Sequence, residues 1–119
     1  MKYLISMIAL LFGGMASAAE RESYYSDIIC ETELRGTDNT LPSGLRPDCE
    51  TSFAIIEFDW AKSPKHYECI GQAFIYAQQT GKLPVCILMA RDDDELEFGR
   101  SLDFSDFGLI LRIIDVRAY

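Results

Sequence analysis

Asp48, Glu57 and Asp59 are the residues whose types and spacing offer chemistry. Glu57 and Asp59 are two apart in the run Phe53-Ala-Ile-Ile-Glu57-Phe-Asp59-Trp60, which reads as a strand, so they share one face of it. A carboxylate inside or at the end of a buried strand is costly unless it is paired, hydrogen-bonded or metal-bound. Asp48 lies on the segment before. If the two segments pair as a hairpin, Asp48 and Glu57 come within reach of one ion. Carboxylate oxygens on adjacent strands suit Mg²⁺ or Mn²⁺, hard cations that keep several waters. Such an ion can polarise a phosphoryl oxygen and activate a water for attack. Lys62 and Lys65 follow closely, and a lysine there would orient the water or stabilise developing charge. The alternative is a solvated strand end, with Glu57 and Asp59 pairing with those lysines.

The elements that must position these groups can be read in order. Residues 20–30 predict a short helix, with Tyr24, Tyr25, Ile28 and Ile29 at helical spacing toward the core. Residues 31–34 read as a short strand. Residues 36–44 are dense in turn formers. Residues 45–52 return as a second strand, with Pro47 near an edge. Residues 53–60 form the third. Ser63 suits a helix N-cap and Pro64 a first helical position. Ile70, Ala73, Phe74 and Ala77 then make an apolar stripe, and Gly81 ends the helix. Residues 83–90 are the most continuous apolar run, a central buried strand reached by a crossover that should be parallel. Residues 91–95 are a solvated loop entering a third, poorly patterned helix that closes at Gly108. Residues 109–116 are a last strand. This order predicts an α/β fold, a mixed central sheet with helices on both faces.

The first 19 residues read as a signal peptide. Lys2 precedes an apolar run from Leu4 to Met15, and Ala16-Ser-Ala-Ala19 supplies small residues for cleavage. Residues 20–119 are then one small domain, exported to the periplasm or beyond, with no membrane span left after cleavage. The net charge of −8 counts against a sequence-tolerant nucleic-acid binder, but not against an enzyme that holds a cation between its carboxylates and a phosphate. The cysteines are Cys30, Cys49, Cys69 and Cys86, and an even count in an exported domain suggests disulfides. Cys30–Cys49 is the preferred bridge; Cys69 and Cys86 are either a second bridge or small buried apolar residues. The single histidine, His66, reads as a surface residue at a helix start rather than a general base. Tyr76 reads as packing on the sheet with its hydroxyl exposed.

An Asp, then a Glu-x-Lys on the next strand, then a helix carrying Gln is the pattern of the PD-(D/E)xK nuclease superfamily, which has the restriction-endonuclease-like fold. Arg46-Pro-Asp48-Cys49, Ala54-Ile-Ile-Glu57-Phe-Asp59-Trp, and Lys65-His-Tyr-Glu68-Cys-Ile-Gly-Gln72-Ala-Phe-Ile-Tyr76-Ala with Thr80-Gly-Lys82 resemble, more narrowly, a group of small exported bacterial proteins with that fold. The likeness covers roughly residues 24–116. It implies an αβββαβ core and a metal-dependent site that hydrolyses phosphodiester bonds, with nucleic acid as substrate. By the same likeness Asp48 and Glu57 are the metal-binding acids, with Asp59 a third candidate ligand from its spacing alone, and Gln72 touches the metal shell or substrate. Glu22 corresponds to an optional helix acid. Asp59 stands where the superfamily has its lysine, and Lys65 is the replacement. Many members of the superfamily have lost catalysis, so a non-catalytic interaction module is the second reading. No protein partner is indicated.

Overall fold

The run Ala54–Trp60 is buried at every position, including its two acids. In the computed structural model, which describes residues 22–119, this run is strand β2 of a four-stranded mixed open sheet. The strands are β1 (Cys49–Glu50), β2 (Ala54–Trp60), β3 (Leu83–Ala90) and β4 (Ile110–Asp115), in spatial order β1-β2-β3-β4. β1 runs antiparallel to β2, while β2, β3 and β4 are parallel. The signal-peptide reading falls on residues 1–19, outside the described residues.

Alternation along β2 gives the sheet two different faces. Ala54, Ile56, Phe58 and Trp60 join Val85, Ile87 and Met89 of β3 in one apolar cluster. Helix α1, residues 22–28, and the π-helical turn Ile29–Glu33 that continues it cover this face through Tyr25, Ile29 and Cys30. The other face carries Cys86, Leu88 and Ala90, covered by α2 (Lys65–Thr80) through Cys69 and Ala73 and by α3 (Asp93–Arg100) through Leu96. Burying both faces is what an apolar parallel strand such as β3 requires.

Both cysteine pairs are bridged, Cys30 to Cys49 and Cys69 to Cys86. Each bridge fastens a helical element to a strand, one on each face of the sheet. Two disulfides fit an oxidising compartment. Among the described residues, no helix is long and apolar enough to cross a membrane.

Several local expectations are corrected. Residues 31–34 are not a strand; they wind on from α1, with the Leu34 N–H donating to the Ile29 carbonyl. The strand expected over 45–52 shrinks to Cys49–Glu50, because Thr51 turns the chain tightly and its hydroxyl accepts from the Ala54 N–H. Tyr24 points outward, 57% exposed. Ser63 does not cap α2, which starts at Lys65 with no side-chain cap. Gly81 does end α2, in a left-handed conformation with its N–H on the Ala77 carbonyl. The third helix stops at Arg100, and a 3-10 turn, Ser105–Phe107, precedes Gly108. Asp92 caps α3 by accepting the Glu95 N–H at 2.8 Å.

Candidate functional site

Cys49 pairs with Ile56 across the antiparallel ladder, so the next position outward sets Asp48 opposite Glu57. Directly opposed residues point to the same face. The two then exchange hydrogen bonds through the main chain. The Asp48 N–H donates to Glu57 Oε2 at 2.7 Å, and the Phe58 N–H donates to Asp48 Oδ2 at 2.9 Å. Glu57 is 2% exposed and lies opposite Cys86 of β3, with Cys69 Sγ 3.4 Å from its carbonyl oxygen. Asp48 is open to solvent and lines a groove with Asp27 and Asp38. Asp59, two residues on from Glu57, is 7% exposed and accepts the Trp60 N–H at 2.9 Å.

These acids hold protons more tightly than carboxyls in water. Burial, then the charge of Asp48, pushes Glu57 up to about 8. Asp48, although the residue reaches solvent, is also raised by the protein packed around its carboxyl, against the Phe58 N–H and the hydrogen bond from Glu57 that favour its ionised form. Asp59 is raised by burial, against the Trp60 N–H and Lys65. Glu22, on α1, is pushed up to about 7 by burial and then by the charges of Asp59 and Asp48. Four acids from three segments thus converge, and at neutral pH Glu57 carries the proton that its neighbour's charge favours.

Helix α2 faces this group with one stripe. Lys65, Glu68, Gln72 and Tyr76 follow at helical spacing. Lys65 Nζ lies 3.3 Å from Glu68, and its affinity for a proton is raised first by that hydrogen bond and then by the charge of Asp59. The Tyr76 hydroxyl is raised by burial and by the charges of Glu57 and Asp48, so it borders the pair. Gln72 sits between Glu68 and Tyr76 on this stripe and is exposed. Lys62 instead acts on Glu95 of α3. Lys65 is therefore the lysine beside the acids. Glu68 and Tyr76 are neighbours of the site that carried no assigned role in the sequence; their three- and four-residue steps from Lys65 and Gln72 were the available signal.

His66 corrects its reading as a surface residue. It is 4% exposed, stacked on Tyr67 at 3.8 Å and edge-on to Phe98 of α3 at 5.1 Å. Its Nδ1 has no hydrogen-bond partner among the described residues.

Among the described residues, no group of three or more His, Cys, Asp or Glu side chains is arranged to hold a metal ion. The structure brings Asp48 and Glu57 together as a pair. Asp59 acts on Glu57 through charge, and Asp59 and Asp48 act on Glu22, without a three-carboxylate cage closing among the described residues. The donors that are present, hard oxygens whose proton affinity is raised first by burial, still match a hard divalent cation, and Mg²⁺ needs only one or two protein carboxylates when phosphate and water complete its shell.

The chain matches no protein-family model, no curated protein and no solved structure.

Proposed function

We propose that the Asp48–Glu57 pair binds Mg²⁺ or Mn²⁺ and that the protein is an exported metal-dependent phosphodiesterase acting on nucleic acid. The supporting observation is a pair of main-chain hydrogen bonds that ties the two acids together, the Asp48 N–H donating to the Glu57 carboxyl and the Phe58 N–H to the Asp48 carboxyl, with Glu57 pushed up to about 8 by burial and by the charge of Asp48. Two acids kept this close in a folded chain repel unless a proton or a cation lies between them. The likeness to restriction-endonuclease-like proteins supports the same reading, as does the antiparallel-then-parallel sheet order.

A divalent ion there supplies Lewis-acid polarisation of a phosphoryl oxygen and a more acidic water. The chain supplies the rest. Asp48 and Glu57 offer oxygens to the ion and fix each other's main chain. Asp59 and Glu68 hold the Lys65 ammonium at the edge of the group, where it offsets charge that develops on phosphate. Gln72 and Tyr76 present neutral hydrogen-bonding groups for water or a substrate oxygen.

Thermal unfolding in millimolar Mg²⁺ or Mn²⁺ tests the site. The expected result is a rise in Tm that Asp48→Ala abolishes, because a ligand of the native state must stabilise it. Cleavage of single- or double-stranded DNA or RNA should appear with the metal and vanish in Glu57→Ala. Unchanged Tm together with intact substrates would remove the proposal. The second reading, an interaction module without catalysis, is favoured by the lack of a three-acid group among the described residues and predicts that outcome.

A further inference from the structure

Three parallel strands end at one place. Trp60 is the last residue of β2, Arg91 is the first after β3, and Val116 and Arg117 directly follow β4. Tyr25 of α1 closes the side, and these five residues line a cavity of about 210 Å³. That is below the ~300 Å³ at which pockets for drug-sized molecules begin, which suits a single ring system.

The floor of the cavity is aromatic. Tyr25 meets Trp60 edge-on at 6.2 Å, and the Arg91 guanidinium lies 4.1 Å from the indole centroid. Glu95 holds Arg91 in that attitude, accepting from Nε at 3.0 Å and from Nη2 at 2.6 Å. Arg117 is fixed by Asp115 through Nε at 3.0 Å and by Asp93 through Nη2 at 2.9 Å. Both arginine side chains remain accessible, 38% and 46% exposed. A guanidinium placed over an indole, as Arg91 is over Trp60, has a further face on which a planar ring can stack. The carboxylates that orient the two arginines also cancel most of their net charge, so a bare anion gains little here. A ligand that stacks a planar ring on Arg91 and carries an anionic group to Arg117 gains from both contacts. The cavity also adjoins the acid group, since Trp60 follows Asp59, and Glu22, which feels the charge of Asp59, acts in turn on Arg91.

We propose that this cavity binds a nucleotide, with the base stacked on the Arg91–Trp60 pair and the phosphate directed to Arg117. This places a nucleotide subsite at the strand ends beside the acids of the proposed phosphodiesterase; it rests on that reading for the reaction, and binding is separable from it.

The test is titration of AMP into the full chain in EDTA, read on the indole N–H resonance of Trp60, the only tryptophan. Millimolar AMP should shift that resonance. Adenosine alone and inorganic phosphate alone should need about tenfold more. Arg91→Lys keeps a cation for Glu95 but loses the flat face, and it should weaken AMP about tenfold at an unchanged Tm. Arg117→Gln should narrow the gap between AMP and adenosine. An unmoved resonance, phosphate acting as well as AMP, or Arg91→Lys binding like the parent would overturn the proposal. AMP binding without any cation-dependent rise in Tm would leave this cavity standing and discard the metal site; a cation effect with no AMP binding would do the reverse.

Discussion

Asp48 and Glu57 hold one another in place: the main-chain N–H of Asp48 bonds the Glu57 carboxyl, and the Asp48 carboxyl bonds the N–H of Phe58, the residue after Glu57. Neither side chain can swing away without leaving a backbone donor unpaired, a loss of about 1–3 kcal/mol where that donor is buried. The pairing makes the two acids one unit.

Glu57→Gln separates the structural and chemical parts of that unit. Glutamine keeps an acceptor for the Asp48 N–H and copies the protonated acid. At pH 7 the Tm should change by less than 2 °C, while any rise in Tm given by Mg²⁺ or Mn²⁺ disappears. A variant that unfolds at room temperature would show that the charge itself is structural.

Stability should fall as pH rises from about 5 to 8. Glu57 and Glu22 ionise near 4.5 when unfolded but near 8 and 7 when folded. The native chain therefore binds more protons across that window, and each such proton tilts the equilibrium by about 1.4 kcal/mol per pH unit at most, with Glu22 contributing less because it is half-exposed. Below the window the slope reverses, because Glu50, held ionised by hydrogen bonds from Lys82 and Asn39, becomes protonated. Tm measured at unit intervals of pH should peak near 5. In Glu57→Gln the fall toward pH 8 should flatten. A Tm that climbs from pH 5 to 8 would contradict the raised carboxyls.

Lys65 and Lys62 should behave differently. Lys65 is at the surface beside Glu68, so Lys65→Met should leave the Tm essentially unchanged. Metal-dependent phosphodiester cleavage should drop about 100-fold or more in the same variant. Lys62→Met, on the side of Glu95, should cleave like the parent. Equal activity in both variants would take Lys65 out of the site.

Two glycines should respond with opposite signs. A Cβ on Gly36 would come to 2.5 Å from Cys49 Sγ and 2.9 Å from the Glu50 carbonyl oxygen. Gly36→Ala should therefore destabilise by about 1–3 kcal/mol in urea unfolding. Gly71, exposed in the middle of α2, has nothing within 4 Å of such a Cβ, and Gly71→Ala should stabilise by about 0.5–1 kcal/mol.

The strands were legible where burial alone decides them. The run over 83–90 has no polar residue to alternate, and the run over 53–60 is bounded by turn formers, so both read directly. The facing of Asp48 and Glu57 also follows from sequence once the two segments are taken as a hairpin. Residues 31–34 misled because Glu-Thr-Glu-Leu has no strong local preference. What decides them is a bridge from Cys30 to a residue 19 positions away. His66 was read as exposed because it stands at a helix start with no second partner evident in the sequence; Phe98, which packs edge-on against it, arrives from a different helix. The cavity at Trp60 was invisible for the same reason, since three strand ends must be assembled before Arg91 and Arg117 share a wall.

The disulfides bear on when the acids can be crowded at all. Cys49 adjoins Asp48, and Cys86 lies across the ladder from Glu57, so one covalent staple braces each partner, from opposite sides of the sheet. While the thiols are reduced, the like charges are free to drift apart by loosening β1 or lifting α2. Oxidation takes away that relief and locks the charge density in. A newly made chain in a reducing cell interior would thus carry its acids unconcentrated, and the crowded arrangement would come into being only once the chain reaches a place where thiols are bridged.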